Sequence, residues 1–180
     1  MEAGTYDGDS YNKLPSIGEA AAAFTAINGN TLLDTAFRDL FVHHGMDRTF
    51  GLILLHRHFE LGANERLVEY KGTSVPWLNN ELATNIRPHN WYLSSGKVFP
   101  YEFYHSLSED GPTLDLNNPD QQAFLDQFAK LLSRENAENL FGLCRYPGDD
   151  FEGRIEITQG RSNINLSHKD VCKLISFLIQ

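Results

Sequence analysis

Two cysteines, Cys144 and Cys172, are all that a chain of 180 residues contains. Neither belongs to a Cys-x-x-Cys pair. That spacing excludes zinc-ribbon and thioredoxin-like sites and leaves free thiols in a reducing compartment as the simplest account. Glycine-rich phosphate loops of both common patterns are missing, so no nucleotide cofactor is expected. No run approaches the roughly 20 apolar residues that cross a bilayer, and no membrane partner is expected. Basic residues are scarce, 15 Lys and Arg against 24 Asp and Glu, for a net charge of −9. A negative field repels phosphate backbones, which argues against nucleic acid as a partner. Residues 1–7 lack the basic and apolar regions of a secretory signal, and a cytoplasmic location is expected. Internal repeats and low-complexity linkers are also missing.

What is there suits a packed core. The hydrophobic share is 41%, and seven Tyr, twelve Phe and two Trp argue against general disorder. The length predicts one domain. Residues 1–15 are polar and read as a flexible N-terminal arm, with a single α+β domain over 16–180. A calcium loop starting at Asp7 is excluded: Asn12 stands where the sharp-turn glycine belongs, and Gly18 where the bidentate Glu belongs.

Ser16-Ile17-Gly18-Glu19 reads as a capping box opening a helix to Ile27. A second helix over 31–44 carries Leu33, Phe37, Leu40 and Phe41 at three-four spacing. A strand is expected over 50–61, with 66–71 pairing back on it as a hairpin. Residues 91–93 and 97–105 form a second, aromatic hairpin. Asn118-Pro119-Asp120 opens a helix to about Glu138. Residues 140–146 and 153–158 read as a third hairpin, and Ser167 to Asp170 as the capping box of a C-terminal helix. Strands and helices come in separate groups. The expected fold is α+β: a mainly antiparallel sheet of about five to seven strands, with three to four helices packed on one face.

The run Phe50-Gly51-Leu52-Ile53-Leu54-Leu55-His56-Arg57-His58-Phe59-Glu60 carries the strongest chemical signal. On a strand, alternate residues share a face, so His56, His58 and Glu60 stand together at the end of a buried run. Imidazole titrates near neutral pH and also binds divalent metals. His56, His58 and Glu60 are therefore the catalytic candidates, and His56 and His58 the metal candidates. Trp91, Tyr101, Phe103 and His105 are the substrate-binding candidates, because part-polar aromatic rings suit a pocket wall. The competing reading of the histidines is a strand end meeting water. The polar rows Arg154, Glu156, Thr158 and Arg161, Asn163, Asn165 read either as a pocket wall or as a wet face. Cys144 reads as a core thiol.

Two functions follow as expectations. One is a small enzyme acting on an apolar or aromatic metabolite by His-assisted proton transfer, of the isomerase, cyclase or lyase type, with a divalent metal as the cofactor to test. The other is a non-catalytic ligand-binding or protein-interaction domain. A small-molecule ligand is the expected partner. Histidines converging in a closed pocket favour the first; a flat aromatic patch favours the second.

Overall fold

A computed structural model of the protein describes residues 1–80, 84–107, 113–167 and 169–171. The described elements in chain order are β1 (Glu2–Ala3), α1 (Gly8–Asn12), α2 (Ile17–Ala26), α3 (Gly29–Leu32), a π-helical turn (Leu33–Phe37), α4 (Arg38–His43), β2 (Phe50–Leu54), β3 (Glu65–Tyr70), β4 (Thr73–Leu78), β5 (Ile86–Ser94), β6 (Lys97–His105), α5 (Pro119–Arg134), β7 (Phe141–Arg145), β8 (Arg154–Gln159) and β9 (Ser162–Ser167). The fold is α+β, as expected, but the sheet is larger and mixed. Eight strands run in the order β2-β7-β5-β6-β3-β4-β9-β8, and β1 adds to β6. Both β1 and β3 lie parallel to β6. No helix among the described residues is long and apolar enough to cross a membrane.

The helix starts follow their sequence signals. Ser16 and Glu19 close the capping box of α2. Asn118 accepts from the backbone N–H groups of Asp120 and Gln121, with Pro119 in the first turn of α5. The expected helix over 31–44 is interrupted by the π turn, beside which the Thr35 hydroxyl donates to the Thr31 carbonyl at 2.6 Å. Helices α2 to α5 bury Ala20, Phe37, Phe41, Phe124 and Phe128 against Phe50, Trp91, Leu93, Val98 and Phe141 of the sheet. The C-terminal helix and Cys172 fall largely outside the described residues, although Ser167 and Asp170 exchange the reciprocal bonds of a cap.

Two pairings and the chain start differ from expectation. Strand β3 pairs with β4 and β6, not with the strand at 50. Positive φ at Lys71 and Gly72 makes a two-residue hairpin turn there. Strand β7 inserts between β2 and β5 and does not pair with β8, which pairs with β9. Gly142 allows this insertion: a Cβ there would stand 2.4 Å from the Trp91 carbonyl oxygen. The third difference lies at the chain start. Residues 1–15, expected as a loose arm, are packed against the fold. Tyr11 is fully buried with Leu14, Leu55, Leu67 and Tyr101 in a second core. The polar residues there are caps and clamps: Asp7 caps α1, and the Asn12 amide brackets both backbone groups of Leu61.

Candidate functional site

Strand β2 stops at Leu54, so His56, His58 and Glu60 do not share the extended strand face expected of them. The chain is turned off by Leu55, whose N–H donates to the Leu140 carbonyl. The packed N-terminal segment then holds it in place. The Arg57 N–H donates to the Pro15 carbonyl, and the Arg57 guanidinium to the Leu14 carbonyl. The His58 N–H donates to the buried Tyr11 hydroxyl at 3.1 Å. Held this way, the two imidazoles still converge, with ring centroids 4.7 Å apart.

Their carboxylate partners come from distant strands. His56 Nε2 lies 3.1 Å from Glu156 Oε2 on β8, and its Nδ1 donates to the Leu54 carbonyl at 2.9 Å. His58 Nδ1 lies 3.8 Å from the same Glu156 oxygen, while its Nε2 lies 3.4 Å from Glu102 Oε1 on β6. The Asn163 amide of β9 is also 3.4 Å from Nε2, and the Asn90 amide of β5 donates to Glu102. Both imidazoles are buried, at 8% and 6% side-chain exposure, so these contacts are made away from bulk water. Burial works against a charged His56 ring, yet the hydrogen bonds and negative charge of Glu156 outweigh it and raise the pKa above its usual value. Burial likewise works against the Glu156 carboxylate, and the two histidines outweigh it and lower its pKa. The pair favours its charged form.

Glu60 is not part of this cluster; it is exposed, and its backbone carbonyl accepts from Arg161. Of the four aromatic candidates, Phe103 lines the adjoining cavity, with Arg66 over its ring. Trp91 and Tyr101 are buried in the two cores. His105 lies edge-on to Tyr70 and tilted against Trp77, and does not meet His56 or His58 in the metal-competent group. Cys144 lines the cavity, and burial pushes its thiol up to about 11, which keeps it protonated and poorly nucleophilic.

The cavity is what the curl of the sheet encloses. Strands β2 through β9 all contribute to its wall, around a volume of about 300 Å³. Its apolar part includes Leu52, Ile53, Leu67 and Phe103; its polar part includes His58, Glu102, Glu156, Asn163 and Asn165. Glu156, Asn163 and Asn165 come from the polar rows that the sequence left open between pocket wall and wet face. Glu102 carries no such signal. Asn90 also lines the wall, and its Oδ1 is buried with no hydrogen-bond partner among the described residues. Among the described residues, donor atoms of His56, His58 and Glu156 lie within 4.8 Å of one another, a group able to hold a metal ion.

Known families, curated proteins and solved structures show no match to this chain.

His89 of β5 gives the cavity a titration of its own. Burial drives its pKa below the usual 6.5, with the charges of Glu69, Glu102, Arg145 and Arg154 around it. The unfolded chain takes up this proton near 6.5 and the folded chain does so only at lower pH. Across that window the unfolded state binds more protons, so stability falls as pH falls. Urea melts at about pH 7.5 and about pH 5.5 are expected to show a smaller acid loss in His89→Gln than in the parent chain. Equal losses in the two proteins would remove His89 as a source.

Proposed function

We propose that the interior of the curled sheet is a reaction chamber for a small organic molecule, and that His58, held between Glu156 and Glu102, assists proton transfer there. The observation that carries this reading is the convergence of His58, Glu102 and Glu156, from three separate parts of the chain, on one cavity wall, with His56 paired to Glu156 behind it. Convergence of this kind is costly to fold, because each buried charge must be paired. Imidazole and carboxylate are the side chains that move protons near neutral pH. The cavity volume sits at the lower end of the roughly 300–1,000 Å³ common for small-molecule pockets. Apolar residues on one part of the wall and polar groups on the other suit a largely apolar substrate with one or two oxygens. Isomerisation, cyclisation or elimination next to a carbonyl are reactions of this kind. The aromatic candidates support a chamber over a flat binding patch, since Trp91 and Tyr101 are core groups.

The test is native mass spectrometry of freshly purified protein, followed by extraction and identification of any retained organic molecule. Asn165 lines the cavity from β9, while its backbone N–H donates to the Gly72 carbonyl. Asn165→Trp keeps that backbone bond and fills the chamber. The expected result is retention of one small molecule by the parent chain and its loss in Asn165→Trp, with both proteins folded. Retention unchanged by the tryptophan would place the ligand elsewhere and end the chamber reading.

A further inference from the structure

We propose that His56, His58 and Glu156 form the site of a first-row divalent transition-metal ion, bound through His56 Nε2, His58 Nδ1 and Glu156 Oε2. The inference rests on the chamber reading above and names what bridges the cluster at its wall. The argument is one of lone pairs. His56 Nδ1 points at the Leu54 carbonyl at 2.9 Å, and a carbonyl only accepts, so the proton sits on Nδ1. In the charged pair the other nitrogen carries a second proton, 3.1 Å from a carboxylate oxygen, and an ion that displaces that proton meets the nitrogen's lone pair there. His58 repeats the pattern with the nitrogens exchanged. Glu102 faces Nε2 at 3.4 Å, and the Asn163 amide nitrogen stands at the same distance. The charge of the carboxylate favours the tautomer with the proton on Nε2, which is the one the site requires. His58 Nδ1 is left with its lone pair toward the same Glu156 oxygen, at 3.8 Å.

Three acceptors therefore converge on one point, two imidazole lone pairs and a carboxylate. Such a set is stable only around a cation, either the proton between His56 and Glu156 or a metal ion that displaces it. Donors each about 2.0–2.2 Å from a shared ion lie roughly 3–3.5 Å from one another at tetrahedral or octahedral angles. The 3.1 Å pair already has that spacing, and a small rotation of the His58 ring brings in the third donor. The surroundings match what metal-bound histidines use. One ring is backed by a backbone carbonyl and the other by a carboxylate, which fix tautomer and orientation. Two imidazoles and one carboxylate select zinc or its first-row neighbours over calcium or magnesium. Because His58 and Glu156 line the cavity, the remaining coordination positions face the chamber. The ion supplies Lewis acidity to an oxygen of the bound molecule. Glu102, which is not a ligand, remains to take the proton.

The experiment is calorimetric titration of Zn²⁺ into chelator-treated protein, with Co²⁺ absorption as the report of coordination. The expected result is one ion per chain. His56→Ala and Glu156→Ala are expected to lose saturable binding. Glu102→Gln is expected to weaken it by about 10–100-fold, since it removes only the group behind His58. Thermal melts establish that each variant is folded, and His43→Ala, outside the cluster, is expected to bind like the parent. Absence of saturable binding in the parent chain overturns the metal site, as does binding indifferent to His56→Ala and Glu156→Ala. Retention of the organic molecule, measured by mass spectrometry with and without chelator, separates the two readings. A chain that retains its molecule but takes no metal keeps the chamber and loses the ion, and a proton then bridges His56 and Glu156. A chain that takes one metal and retains no molecule keeps the ion and loses the chamber.

Discussion

Phe124→Ala is expected to remove about 3–5 kcal/mol of stability, the range for a buried phenylalanine truncated in a core that cannot collapse. Phe124 sits on α5, fully buried. Its ring meets Phe41 of α4 edge-on at 5.0 Å, and stacks on Phe50 of β2 at 5.9 Å and on Phe128 at 5.8 Å. It therefore joins the two helices to the strand that leads into His56. Neighbours held in three different elements cannot all move to fill the space, so the cavity term adds to the lost transfer energy. A domain of this size holds about 5–15 kcal/mol in all, and the variant is expected to be near its folding limit. Urea melts measure the loss. Val42→Ala, exposed on α4, is the reference and is expected to stay within about 0.5 kcal/mol. A loss below about 1 kcal/mol for Phe124→Ala would mean that this aromatic cluster is not the centre of the core.

The helices were readable from the chain because their signals are local. Ser16 with Glu19, and Asn118 with Pro119, are complete within four residues and do their work within the same turn. The aromatic hairpin was readable for the same reason: Ser95 and Gly96 take the positive φ that a two-residue turn needs. Strand order was not readable, because nothing near Phe141 specifies that β7 enters between β2 and β5. That choice is made by packing across the sheet, and by the missing side chain at Gly142 where it passes Trp91. The sheet exceeds the expected five to seven strands because β1 is two residues long and β4 is interrupted by Pro76, so neither carries a strand signal. β8 and β9 look half-wet from their alternation, and only the curl of the sheet turns Glu156 and Asn163 inward.

The site was half readable. His56 and His58 were found through alternation, yet they meet because a buried tyrosine, Tyr11, and a clamp around Leu61 shape an irregular segment. Polar composition concealed that role in the first fifteen residues: Asp7 and Asn12 resemble the residues of a loose arm, and both are hydrogen-bonded structural groups. The acidic partner lies far beyond the reach of strand alternation. Glu60 is near in sequence and faces solvent, while Glu156 lies 100 residues from the ring it pairs with. No local pattern carries a partnership of that span.

Glu102→Gln is expected to lower kcat/KM for the molecule retained in the chamber by about 10²–10⁴-fold, the usual loss when a positioned proton-transfer group is removed. The substitution is nearly isosteric. The amide oxygen still accepts from the Asn90 side chain, so the packing between β5 and β6 is kept. What disappears is the negative charge facing His58 Nε2 at 3.4 Å, on a side chain only 14% exposed. That charge orients the ring and accepts the proton, and at such a depth water cannot replace it. The fold is therefore expected to survive, with a melting temperature close to that of the parent chain, since a buried charge is costly to hold and its removal is not a packing defect. Assay at saturating Zn²⁺ separates the roles, because the weaker metal affinity is then overcome and the remaining loss belongs to proton transfer. Glu60→Gln is the matched control; its side chain is exposed, and only its backbone carbonyl contacts Arg161. It is expected to turn over substrate like the parent. If Glu102→Gln keeps full kcat/KM at saturating metal, the carboxylate is a structural partner of His58 and Asn90, and the proton goes to another group on the chamber wall, with His89 the next to test.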